Sequence, residues 1–133
     1  MSTINYPHAE GIAPSPAYSH VVVTSGTRTI YLAGQVALDA QGMLVGAGDL
    51  GAQTVQVMRN IGLALAAAGA SFADVVKITT YVVDYRPEKR AVIGQARTPF
   101  FAGRPPPAST LVGVSALAAP EWLIEIEAIA VLG

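Results

Sequence analysis

The C-terminal run from Trp122 to Leu132 limits the fold more than any other part of the chain. Trp122, Ile124, Ile126, Ala128, Ala130 and Leu132 fall on one face of a pleated strand, and Leu123, Glu125, Glu127, Ile129 and Val131 fall on the other. The first face is wholly apolar and has to be covered by another layer. The second sets two carboxylates side by side, about 6.5–7 Å apart. An unpaired carboxylate inside an apolar strand costs several kcal/mol, so this face must meet water, a cation or a hydrogen-bond donor. Just upstream, Thr110, Val112 and Val114 alternate with Ser109, Leu111, Gly113 and Ser115, which predicts a second strand. A loop closed by Ala118-Ala119-Pro120 separates the two, its proline removing a ladder donor.

The upstream elements are those a sheet of this kind needs. Residues 1–17, with Pro7, Gly11, Pro14 and Pro16, read as an irregular lead-in. Ser19–Thr24 and Thr29–Ala33 are β-rich runs joined by Ser25-Gly26-Thr27-Arg28, which predicts a hairpin, and Met43–Val45 extends the sheet. From about Asp49 to Ala68 the spacing becomes helical. Val55, Met58, Ile61, Leu65 and Ala68 form the inward stripe with Gln53, Gln56 and Asn60 opposite, Asp49 at the N-terminus and Gly69 at the end. Val75–Val83 (VVKITTYVV) predicts a central strand. A second helix follows from Pro87-Glu88 to Pro99, where Arg86, Lys89, Arg90 and Arg97 read as a solvated basic face. The order ββ(β)αβαββ is an α+β fold with two helices on one face of the sheet, a single domain over residues 1–133.

Composition says what meets the uncovered sheet face. The chain is 52% hydrophobic and 13% charged, against roughly 25% charged for an average domain. The apolar surplus predicts an interface with further copies of the chain. Apolar stretches stop well short of the roughly 20 residues of a membrane span. A net charge of −1 gives no pull toward phosphate backbones, so neither a membrane nor nucleic acid is expected as a partner. Without cysteine, thiol nucleophiles and zinc–thiolate sites are excluded. His8 and His20 show no metal-ligand spacing, and the expectation is a protein without metal or cofactor. No basic and apolar leader opens the sequence, which makes the cytoplasm the expected compartment. Gly46-Ala47-Gly48-Asp49-Leu50-Gly51 has GxGxxG spacing, but the chain is too small for a doubly wound nucleotide-binding sheet. The glycines read as a flexible turn.

Several of these stretches together form a pattern: Pro16-Ala17-Tyr18-Ser19, Ala33-Gly34-Gln35, Gln53-Thr54 through Asn60, Gly69, Asp74-Val75-Val76-Lys77 and Glu125-Ile126-Glu127-Ala128-Ile129-Ala130. From about Pro14 onward the chain resembles the RidA/YjgF family, historically labelled endoribonuclease L-PSP. The resemblance implies a chorismate-mutase-like fold, a homotrimer with clefts between subunits, and hydrolysis of small enamines or imines. It assigns Glu125 to positioning the attacking water, and Tyr18, Ala33 and Ser109 to substrate contact, with Leu111 and Trp122 as apolar neighbours. Ser109 stands where the family carries an arginine for the substrate carboxylate, Ala33 where it carries a serine, and Gly94 where it carries an asparagine. A serine does not replace a bidentate cationic fork. Arg97 and Arg104 are the candidates for that task, and a non-deaminating binding protein for a small metabolite is the alternative. Ribonuclease activity is disfavoured by the near-neutral charge.

Overall fold

A computed structural model describes residues 3–133. Its strands are β1 (Thr3–Asn5), β2 (Val23–Ser25), β3 (Arg28–Gln35), β4 (Val75–Val83), β5 (Ala108–Val114) and β6 (Ile124–Leu132); its helices are α1 (Leu50–Ala67) and α2 (Lys89–Arg97). The main sheet has the order β3-β6-β4-β5. β6 runs antiparallel to both β3 and β4, while β5 lies parallel to β4 across the α2 connection. The expected α+β class holds, with both helices on one face of a mixed sheet and VVKITTYVV as an interior strand.

Alternation determines what each face carries. Ile124, Ile126, Ala128 and Ala130 of β6, with Ile78, Thr80 and Val82 of β4, are buried beneath α1 and α2. Val57, Met58, Ile61 and Leu65 of α1 and Ile93 of α2 complete this core. Truncating one such fully buried aliphatic side chain to alanine typically costs about 2–5 kcal/mol. Asp49 caps α1 by accepting from the Ala52 amide at 3.0 Å, and Gly69 ends it at φ +76°. Gly46 and Gly48 also adopt positive φ, in the turn that enters α1.

Several details differ from expectation. β2 and β3 do not form a hairpin: β2 pairs with β1, and β3 pairs with β6. The intervening turn is drawn to the end of β6 instead, where the Thr27 amide donates to the Leu132 carbonyl at 2.9 Å. The lead-in therefore contains a strand, Thr3–Asn5, with Met1 and Ser2 outside the described residues. Met43–Val45 contributes only one bridge, Leu38 to Leu44.

The polar residues of α1 do not lie on a solvated face either. Gln53 is fully buried. Its Nε2 donates to the carbonyls of Gly46 and Glu121, and its Oε1 accepts from the Leu123 amide. Asn60 donates to the carbonyls of Val36 and Leu38, and Gln56 donates to Asn60 Oδ1. These amides serve irregular backbone that no strand satisfies. Finally, α2 begins at Lys89, and Pro99 does not end the helical path but opens a 3₁₀ turn, Thr98–Phe101, where a missing N–H costs nothing.

Candidate functional site

Among the described residues a large cleft, about 870 Å³, opens at the β5 edge of the sheet. Ser109, Leu111 and Gly113 of β5 and Ile78 of β4 form its floor, and Arg90, Ile93, Gly94 and Arg97 of α2 form a wall. Pro16, Ala17 and Tyr18 close one side. They are held there because Ser19 donates from its amide and its hydroxyl to the carbonyls of Pro107 and Pro106. The prolines stiffen that partner strand approach. Tyr18 stacks edge-on against His20, with ring centroids 5.1 Å apart.

Of the residues singled out by sequence, Tyr18, Ser109 and Leu111 therefore share this cleft, and so do Gly94, Arg97 and Arg104. Arg97 departs from the solvated face expected of α2. It is half-buried, and its Nη1 reaches the hydroxyl of the fully buried Thr80 at 3.4 Å. Burial pulls the guanidinium below its ordinary pKa, yet an arginine stays charged at neutral pH. Arg86 and Lys89 pair with Asp84 at 3.6 and 3.8 Å, on the exposed side of the same segment.

Glu125, Ala33 and Trp122 do not line the cleft. For Glu125 the registers explain why. Ser109 lies beside Ile78, and Glu125 lies beside Tyr81. Positions 78 and 81 of one strand point to opposite faces, so the sheet itself separates Ser109 from Glu125. On the open face the Tyr81 hydroxyl donates to Glu127 Oε1 at 2.7 Å, and Lys77 donates to Thr110 Oγ1 at 2.8 Å. Glu125 has no hydrogen bond or ion pair among the described residues. Its carboxylate lies against Gly34, where any β-carbon would overlap it. The β3–β6 ladder breaks between Leu32 and Gln35, leaving Ala33 and Gly34 outside the register. Trp122 is half-buried just before β6, and its indole nitrogen is buried without a partner.

Two of these features were missed at the level of sequence. Tyr81 belongs to the carboxylate face, and antiparallel alternation of VVKITTYVV against EIEAIA is the signal that places it there. Gly34 makes room for Glu125, a long-range approach that local spacing does not carry. Among the described residues no three His, Asp or Glu side chains gather as a metal site, and no helix is long and apolar enough to cross a membrane.

Known proteins share this architecture. The profile of the endoribonuclease L-PSP family matches residues 9–132. The structure of a conserved Rid family protein of unknown function, YyfB from Yersinia pestis, superposes with a TM-score of 0.92 at 46% identity, over 97% of this chain and 98% of that one. The RidA structure from an Antarctic Psychrobacter gives a TM-score of 0.71 at 31% identity, over 95% and 93% of the two chains. The 2-iminobutanoate/2-iminopropanoate deaminase of Rattus norvegicus is 37% identical over 134 residues, covering 100% of this chain and 89% of that protein. Protein DfrA of Myxococcus xanthus is 37% identical over 114 residues, 86% of this chain and 84% of that protein. With its profile match, its relatives and its fold in agreement, the chain belongs to the endoribonuclease L-PSP family, known also as RidA/YjgF.

Proposed function

We propose that this protein is a cytoplasmic hydrolase of the enamine/imine deaminase type, acting on a small reactive intermediate in a cleft between subunits of a homotrimer. Water adds to the carbon of the C=N bond, the tetrahedral adduct expels ammonia, and a carbonyl compound remains. Glu125 takes the proton from water and returns it to the departing nitrogen, chemistry for which one placed acid/base group suffices. The observation that carries this reading is the Glu125 carboxylate, unpartnered among the described residues and kept unobstructed by Gly34 on the face no helix covers. The deaminases named among the relatives support it.

Because the sheet stands between Glu125 and the cleft, the two meet only if Glu125, with Ala33 and Trp122, comes from one subunit and Tyr18, Ser109 and Leu111 come from its neighbour. The exposed Tyr31 and Val112 give the open face an apolar component for such an assembly. Ser109 in place of a cation on β5 favours a second reading, a trimeric binding protein that holds a metabolite without deaminating it.

The deciding measurement is ammonia release from 2-aminoacrylate and 2-iminobutyrate by the wild type and by Glu125→Gln. The expected result is turnover above the uncatalysed rate, reduced about 10²- to 10⁴-fold by the substitution. A wild-type rate equal to background would sink the hydrolase reading in favour of the binding protein. Gain of rate in Ser109→Arg would show that β5 is the element limiting activity on these short substrates.

A further inference from the structure

Tyr18 enters the cleft from a loop that closes on itself. His20 Nε2 lies 2.7 Å from the carbonyl oxygen of Ala13, seven positions earlier. A carbonyl oxygen only accepts, so Nε2 carries the proton and the imidazole donates. Inside the loop the Ala17 amide donates to Ser15 Oγ at 3.1 Å, and Pro14 and Pro16 fix their own φ. Downstream, Ser19 is tied to the carbonyls of Pro107 and Pro106. The backbone at Tyr18 is thus held from both sides. A tyrosine ring still turns about its side-chain torsions unless another group meets it. The ring that meets this one is again His20, with centroids 5.1 Å apart and planes at 79°, the edge-to-face arrangement that aromatic quadrupoles favour.

His20 contributes little to the rest of the fold. Its side chain is exposed and lies outside the buried core and outside the cleft lining. Among the described residues its hydrogen bond goes to Ala13 and its ring contact to Tyr18. The geometry points to His20 as a positioning residue of the site: it touches no ligand, and it holds the Tyr18 phenol in the cleft by closing residues 13–20 through one ring nitrogen and packing the ring against the tyrosine. Every contact in this device lies within one chain, so it persists whichever neighbour completes the cleft. The inference rests on the reading that a ligand meets Tyr18 in this cleft, and it adds a residue from outside the lining.

Ring-selective carbon-13 labelling of the tyrosines tests the positioning in the intact protein without any ligand. Tyr18, identified by the signal that Tyr18→Leu removes, should be displaced from the position of a free tyrosine by the His20 ring. His20→Ala should return it toward that position while Tyr31, Tyr81 and Tyr85 stay where they are. His20→Phe keeps the ring contact and His20→Gln keeps a donor for Ala13, so each should recover part of the displacement. The unfolding midpoint of His20→Ala should hardly move, because the imidazole is exposed. With 2-iminobutyrate as substrate, kcat/KM for ammonia release should fall about 3- to 10-fold in His20→Ala, as expected for loss of an aromatic pair. That loss should vanish in the Tyr18→Leu background, where no phenol remains to be positioned. Tyr18 signals indifferent to His20, or an equal loss of kcat/KM with and without the phenol, would each overturn the assignment. So would a lowered unfolding midpoint with kcat/KM unchanged, which would make His20 an ordinary structural residue. Tyr18 signals that follow His20, without ammonia release from any imine, leave the assignment standing and remove the hydrolase reading. Ammonia release with Tyr18 signals indifferent to His20 does the reverse.

Discussion

Tyr81 and Glu127 meet across the β4–β6 pair, and the meeting biases a proton. The hydrogen bond to Glu127 favours the neutral phenol most, burial adds to it, and the charges of Glu127 and Glu125 add further. The phenol is thereby held above the ordinary value of 10.0. A folded-state value raised in this way contributes stability that is fully present below the ordinary value and is lost as pH rises through the raised one. Spectrophotometric titration should find one tyrosine ionising late, absent in Tyr81→Phe and moved back toward the ordinary range in Glu127→Gln. The stability difference between wild type and Tyr81→Phe should shrink at the alkaline end of that titration. This contact was half legible in the sequence. Alternation put Glu125 and Glu127 on one face and left the pair with two roles to divide. Only the cross-strand register shows that Glu127 is engaged by a phenol while Glu125 stands free over Gly34.

Gln53 shows how an element can be read correctly in extent and wrongly in orientation. The bounds of α1 followed from its spacing, Asp49 and Gly69, but a glutamine reads as solvent-facing by composition. Here it fastens the start of α1 to the approach to β6 through three hydrogen bonds. Gln53→Leu keeps the volume and strands the Leu123 amide and two carbonyls. Urea unfolding should report a loss of about 2–4 kcal/mol. The strands tell the same story. VVKITTYVV and EIEAIA were legible as strands because their alternation is local. Their neighbours were not, since β5 and β6 adjoin in sequence while β4 separates them in the sheet. The hairpin failed for that reason too: turn residues at 25–28 signal a reversal, and whether the returning strand pairs with its predecessor or with β6 is decided by contacts at the far end of the chain, from Arg28 with Leu132 to Gln35 with Ile126.

At the scale of the whole molecule, the sheet is a partition. Residues on its helix side shape the cleft, and Glu125 stands on the other side, so the proposed active site needs two copies of the chain. A mixing experiment follows from cyclic symmetry. Trimers formed from Glu125→Gln and Ser109→Trp subunits, each inactive alone, have one intact site wherever a subunit with Glu125 precedes one with an open cleft. Random 1:1 reassembly should restore about a quarter of wild-type ammonia release. No recovery after verified subunit exchange would place the site within one chain. The partition also bears on affinity. A ligand that touches both walls of such a cleft binds the assembled protein and not the lone subunit, so occupancy and association become a single linked equilibrium. In the proposed trimer, dilution would loosen the ligand as surely as it loosens the assembly, and a saturating ligand would tighten the assembly in return, making the abundance of the protein itself a determinant of how strongly it holds what it binds.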